Sequence, residues 1–404
     1  MPQNTRFART APPAVGPAVV SRQPILDRSE SIGAYELLAP PSDADPRSAT
    51  SSMLVQAIAD IGLGRLAGAR PAHVDVTREF LLAVRPLPLV PERIVLEIPG
   101  DRPADDALVM VVREARDAGF RIAVDRYQPG AGAEPLLDLA RMVKLDFNTL
   151  DFDTVPELRR RGLTLIATGV ETRETYRICH ELRFDGFQGG YFAEPVVVTG
   201  AAPPTYRLRA LSMLVQDGDM TTFEQLERVI AEDPGLSLKL VKLANSAFFG
   251  GREPVGSIRQ ALLALGSVAV RRWAVLFMLA GVSDRPNDLL EVGLLRARLC
   301  ELVASRNPHA EADRAFTVGL FSVVDALVGT RMHALLEDLP FDERTKAALG
   351  RHEGPEGRIL GGVLAYERGD FDACSEHGVG LGDIALAYRE ALDWSNGALV
   401  QLTA

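Results

Sequence analysis

The sequence predicts two folds in series, an α/β unit made of repeated strand and helix pieces, followed by an all-α unit. Three observations carry that expectation. Between residues 93 and 195 short apolar runs alternate with amphipathic stretches, the rhythm of βα repeats around a parallel sheet. Past Gly200 helical periodicity takes over, with few β-branched alternations. A chain of 404 residues also suits two domains, each of about 200 residues.

In chain order, Val95-Leu-Glu-Ile98 reads as a strand. Residues 105–119 read as a helix, with Leu108, Val111, Val112 and Ala115 on one stripe and Gly119 closing its end. Strands are predicted at 121–125, 142–146 and 163–168, and helices near 134–141, near 155–162 and at 172–183. A closed barrel and an open doubly wound sheet both satisfy this rhythm. Glu97, Asp125, Asp146 and Thr168 fall at or near the C-terminal strand ends, the rim on which parallel αβ barrels build their sites. Ala201-Ala-Pro-Pro204 reads as a linker, and Asp233-Pro234 as a helix start with proline at the first helical position. The predicted division is an arm at 1–19, the α/β unit at 20–200 and the helical unit at 201–404.

Charge and composition narrow the function classes. A formal net charge of -10 argues against nucleic acid as partner, because phosphate binding needs a dense cationic face. No run of about 18 apolar residues occurs, so no membrane partner is expected, and the arm lacks the apolar core of a signal peptide. Cys179, Cys300 and Cys374 stand far apart without CxxC spacing, which predicts buried, reduced thiols in a cytoplasmic protein.

The chemistry concentrates in seven pieces: Ser21-Arg-Gln-Pro-Ile-Leu-Asp27, Tyr35-Glu36-Leu37-Leu38, Leu96-Glu97-Ile98, Val124-Asp125, Lys144-Leu-Asp146, Gly169-Val-Glu171-Thr172 and Gln188-Gly-Gly-Tyr191. Hard divalent ions want several oxygen ligands, and carboxylates on successive strand ends supply them. In this order the pieces resemble the motif series of the EAL family, cyclic di-GMP phosphodiesterases that use a modified TIM-like (β/α) barrel and Mg²⁺ or Mn²⁺. The resemblance covers residues 20–197. It implies metal-ligand positions at Glu36, Asp75, Glu97 and Asp125, the catalytic lysine at Lys144, site-shaping acids at Asp146 and Glu171, and a site glutamine at Gln188.

The departures from that family decide the functional expectation. Where the family has paired aspartates followed by Phe-Gly, this chain has Asp125-Arg126-Tyr127-Gln128, so a metal-bridging carboxylate is replaced by a cation. Thr168 stands where a glutamate is expected, Asp75 where an asparagine is, and Ala39 follows Leu38 where a phosphate-holding arginine would help define the site. Exchanging attraction for repulsion at a divalent ion costs several kcal/mol, on the order of magnitude given by Coulomb's law at an effective dielectric near 20. No competent catalytic residue and no cofactor are therefore expected, Lys144 and Glu171 being vestigial, with Glu36, Asp146 and Gln188 left as ligand-binding candidates. Arg126 is expected to turn into the barrel mouth and pair with Asp75 or Asp146. His73 is expected to be an ordinary strand residue with no metal role.

Residues 205–404 resemble the HDOD domain, a helical module related to the HD phosphohydrolases. The likeness rests on Asp233-Pro-Gly-Leu-Ser237, Leu243-Ala-Asn-Ser246-Ala-Phe-Phe-Gly250, Ser257-Ile-Arg-Gln-Ala261, Ala315-Phe-Thr-Val-Gly-Leu320 and His352-Glu-Gly354. The His-Asp pair that an active HD enzyme needs does not occur, and His309, His333, His352 and His377 lack metal-ligand spacing. Asn245 is expected to tie two backbones together, while Trp273 fits either a domain contact or the core. The expected function is a non-catalytic signal-transduction scaffold or regulator, its partners being unidentified signalling proteins or a second copy of itself. The alternatives are a cyclic di-GMP phosphodiesterase of low activity, using Mg²⁺ or Mn²⁺, and a receptor that binds cyclic di-GMP without cutting it.

Overall fold

A computed structural model describes residues 19–40, 48–193, 223–231, 233–249, 255–280, 288–328, 331–339 and 341–403. The predicted linker at 201–204, and the predicted arm apart from Val19, lie outside the described residues.

Eight strands close into a barrel in sequence order: β1 (Ser21–Asp27), β2 (Ile32–Leu38), β3 (Ala72–Asp75), β4 (Ile94–Pro99), β5 (Arg121–Asp125), β6 (Met142–Asp146), β7 (Thr164–Thr168) and β8 (Gly186–Phe187). β1 runs antiparallel to both β2 and β8, and every other pairing is parallel. The β1–β2 hairpin is held at its turn by the Asp27 carboxylate, which accepts from the backbone N–H groups of Ser29 and Ser31. Of the two sheets the βα rhythm allows, the closed one forms.

The predicted strands after residue 93 are present, and so is the helix Asp106–Asp117. It starts where the Asp105 side chain accepts from Leu108 N–H, and it buries the expected stripe of Leu108, Val111, Val112 and Ala115. The helix expected near 134–141 shrinks to Glu134–Leu137. Its C-terminal part is already committed to the sheet, since Arg141 N–H donates to the Ile122 carbonyl ahead of β6. The helix Thr154–Arg160 precedes β7, and Arg173–Glu181 precedes β8.

Inside the barrel, Ile25, Ala34 and Ile166 with Met142 form a small apolar plug, and the polar strand-end residues lie beyond it. Outside, Val74, Leu96, Val124, Val143 and Leu165 pack beneath the surrounding helices. Strand alternation separates the two sets.

The second part is helical from Phe223–Ala231 to Leu381–Thr403. Asp233 caps the helix Pro234–Ala244 by accepting from Gly235 and Leu236 N–H, with proline at the first position as predicted. The helix Asp288–Ala304 is buried on nearly all sides, and it packs against Ala312–Phe321 and Leu381–Thr403. Trp273 belongs to the core, 3% exposed, among Phe248, Phe249, Phe277 and Trp394. The Asn245 amide donates to the carbonyls of Val241 and Val255 and accepts from Val255 N–H, the backbone tie expected of it. All three cysteines are buried and unpaired.

Barrel and helices meet through complementary charge. Arg22, Arg65 and Arg70 on the barrel side pair with Glu291, Asp393 and Asp288 on the helical side. Glu291 is the hub, accepting from Arg22 Nη2 at 3.0 Å, Tyr35 Oη at 2.6 Å and Arg70 Nη1 at 3.1 Å. Tyr366 Oη adds a bond to the Val20 carbonyl at 2.8 Å.

Candidate active site at the barrel mouth

Parallel pairing sets the site. Glu36 lies beside His73 across β2 and β3, and Asp75 beside Glu97 across β3 and β4. Two residues per strand repeat bring side chains back to one face, so His73 and Asp75 both point inward, as do Ala123 with Asp125 and Met142 with Lys144.

Lys144 occupies the centre. Its ammonium donates to Glu36 Oε2 at 2.7 Å and lies 2.9 Å from Glu97 Oε1, with its side chain 2% exposed. Gln188 Nε2 donates to Glu36 and, at 2.6 Å, to Gln23 Oε1. His73 Nδ1 lies 2.7 Å from Glu97 Oε1. The mouth thus holds Glu36, Asp75, Glu97, Asp125, Lys144 and Gln188 together, as the sequence reading grouped them.

Other expected residues lie aside. Asp146 Oδ1 accepts from the backbone and side-chain nitrogens of Asn148, both at 3.0 Å, starting the short helix Phe147–Thr149. Glu171 is exposed and accepts from Gly190 N–H at 3.2 Å. Thr168 ends β7 opposite Asp146, and Ala39 follows β2, half-buried.

Arg126 requires a correction. Its Nη1 donates to Asp125 Oδ2 at 2.5 Å and its Nε lies 3.6 Å from Asp101 Oδ2, so its partners are Asp125 and Asp101 instead of Asp75 or Asp146. The cause is local. The residue leaves β5 with a left-handed φ of 49°, and the backbone turns the side chain toward the loop after β4 instead of across the mouth. It remains 47% exposed.

The electrostatics follow from burial and charge count. Burial opposes the Lys144 ammonium, but Glu36, Glu97 and Asp125 outweigh it and hold it charged. Burial also pushes up the Glu36 carboxyl, yet Lys144 and the Gln188 bond keep it below the usual range. Asp75 is driven well above the ordinary carboxylate value by burial and then by Glu97, Glu36 and Asp125. Glu97 and Asp125 are also raised, by burial first. His73 is pushed down to about 3 by burial and by Lys144, which favours a neutral ring beside Glu97.

Glu36, Asp75 and Glu97 each offer an oxygen within 4.8 Å of the others, the spacing of a metal-binding trio. Asp75 Oδ1 is buried with no hydrogen-bond partner. That set fits one hard divalent ion, with Lys144 competing for two of the three carboxylates. A second ion finds Asp125 already engaged by Arg126. The motif reading missed Gln23, His73 and Asp101 as members of this network. Strand alternation could have found His73, two residues before Asp75, whereas Asp101 sits in a loop no motif covers.

The comparisons with known proteins agree with this architecture. A family model for the HDOD domain matches residues 202–336. "Uncharacterized protein YuxH" of Bacillus subtilis (strain 168) is 27% identical over 403 residues, covering 94% of this chain and 98% of its own. "Cyclic di-GMP phosphodiesterase CdgJ" of Vibrio cholerae is 29% identical over 397 residues, covering 93% and 92%. The chain combines a closed eight-stranded barrel with a helical part in which the HDOD family model matches. Among solved structures, an EAL domain protein from Listeria monocytogenes EGD-e is 19% identical, covering 43% of this chain and 86% of its own with a TM-score of 0.35. The EAL domain of Mycobacterium smegmatis DcpA is 17% identical, covering 42% and 89% with a TM-score of 0.36. No helix among the described residues is long and apolar enough to cross a membrane.

Proposed function

We propose that this EAL-HDOD protein is a non-catalytic regulator in signal transduction, acting through protein partners, with a barrel that no longer hydrolyses cyclic di-GMP. The observation that carries the reading is the Arg126 guanidinium bound to the Asp125 carboxylate. A two-metal hydrolysis clamps the attacking and leaving oxygens between ions about 4 Å apart. Here one carboxylate of that pair is replaced by a cation, and the remaining one is held by it. Thr168 and Ala39 supply neither a further carboxylate nor a phosphate-holding cation.

A second reading, in which the barrel binds or slowly hydrolyses cyclic di-GMP with Mg²⁺ or Mn²⁺, is favoured by the metal-spaced trio of Glu36, Asp75 and Glu97. The likeness to CdgJ over most of both chains points the same way. In it the trio would hold one ion, whose chemistry would be to polarise a phosphoryl oxygen, while Lys144 and Gln188 would orient the ligand.

One experiment separates the two. The full-length protein is mixed with cyclic di-GMP and Mn²⁺ or Mg²⁺, and both binding heat and linear product are followed. The regulator reading expects no product above the protein-free control, and it expects Arg126→Asp to tighten Mn²⁺ binding at least fivefold. Turnover that Lys144→Ala abolishes would overturn it, and binding heat without product would favour the receptor.

A further inference from the structure

The barrel has a second polar cavity, at the opposite end from the acid cluster. The cleft has a volume of about 630 Å³, and Arg116, Arg121, Arg141 and Arg161 line it with one carboxylate, Asp138. Arg121 opens β5, Arg141 immediately precedes β6, and Arg161 lies just before β7. All three therefore sit at N-terminal strand ends. Four arginines against one carboxylate make this hollow cationic in a chain of net charge -10.

The arginines differ in how far they are engaged. Arg116 pairs with its neighbour Asp117 at 3.0 Å, and Arg161 with Asp138 at 3.3 Å and Glu157 at 3.5 Å. Every side chain in those pairs is more than a third exposed, so the pairs are weak and exchange readily with another anion. Arg121 makes one long bond, from Nη2 to the Glu92 carbonyl at 3.4 Å. Among the described residues the Arg141 guanidinium has no partner. Its backbone is nonetheless fixed between two strands, donating to the Ile122 carbonyl at 2.9 Å and accepting from Thr164 N–H at 3.0 Å. Phe120 and Leu163, both buried, belong to the apolar part of the wall with Ile122, Leu137, Leu139 and Ala140.

We propose that this cleft binds an oligophosphate chain. Planar guanidinium forks match phosphate oxygens two at a time, and four arginines lining one cleft suit a ligand with several adjacent anionic groups better than a single carboxylate. The same chemistry is offered by inorganic oligophosphate and by a nucleoside triphosphate, whose base would lie against Phe120 and Leu163. The site is independent of the reading of the barrel mouth, because the strands separate the two ends.

The test is calorimetric titration of the full-length protein with sodium tripolyphosphate, and separately with ATP, in metal-free buffer. Saturable one-site binding is expected, weakening as salt is raised. Arg121→Ala with Arg141→Ala is expected to lower affinity at least tenfold, while Arg113→Ala, on the exposed side of the helix Asp106–Asp117, leaves it within twofold. Thermal melting of each variant checks that the fold is retained. ATP binding more than threefold tighter than tripolyphosphate identifies the nucleotide as the source, and equal affinity identifies the inorganic chain. Absence of saturable heat, survival of binding in the double variant, or equal weakening by Arg113→Ala overturns the proposal.

Discussion

Asp75 is the residue on which the unbalanced charge of the barrel mouth falls. It is half-buried, its buried Oδ1 has no partner, and three carboxylates act on it. Its folded-state pKa lies above the ordinary 3.8, so the folded protein retains a proton that the unfolded chain releases. The stabilisation is complete below the unfolded value and is lost as pH rises through the folded one. Asp75→Asn removes that liability. It is expected to stabilise the protein at pH 8 by on the order of 1 kcal/mol and to be near neutral around pH 4, as read from urea denaturation at both conditions. A gain equal at the two pH values would show that the effect is not protonation.

At the scale of elements, two helices meet at a glycine. A Cβ on Gly319 would lie 2.7 Å from Ala297 Cα and 2.7 Å from the Arg296 carbonyl oxygen, both backbone atoms that cannot rotate away. The helices Ala312–Phe321 and Asp288–Ala304 approach closely because that side chain is absent. Gly319→Ala is expected to cost about 1–3 kcal/mol through overpacking, measured as a lower denaturation midpoint with the slope unchanged. The barrel elements teach a related lesson. The helix Asp106–Asp117 was legible because its apolar stripe and its closing glycine agree. β1 was not legible from periodicity, since Arg22 faces Glu291 on one side and Gln23 faces Gln188 on the other. A strand polar on both faces has no hydrophobic alternation to read. β8 has two residues, too few for a period.

For the whole molecule, the contact between barrel and helices hangs on Glu291. Arg22 and Glu291 are 6% and 4% exposed, and removing one partner of such a pair leaves a buried charge unmatched, at a cost of about 3–5 kcal/mol. Glu291→Ala is therefore expected to destabilise strongly, and Glu291→Gln less, since an amide still accepts from Tyr35. Both tryptophans, Trp273 and Trp394, belong to the helical part. Tryptophan fluorescence and far-ultraviolet circular dichroism should give coincident unfolding in the parent protein. They should separate in Glu291→Ala, and coincidence there would mean the ion pairs do not couple the two parts.

What the sequence determined alone is the succession of an αβ unit and a helical one, together with the residue types at the strand ends. Both are written in local patterns, periodicity for the elements and ordered motifs for Glu36, Glu97, Asp125, Lys144 and Gln188. Tertiary structure decided the rest. It chose the closed barrel, which depends on β1 pairing with β8 from the far end of the domain. It sent Arg126 to Asp125 and Asp101 through one left-handed backbone angle, and it brought His73 and Gln23 into the acid network. It also gathered arginines spread over residues 116 to 161 into one cleft. Such outcomes depend on distances between residues far apart in the chain and on dihedral angles, and neither is carried by the identity of any single residue.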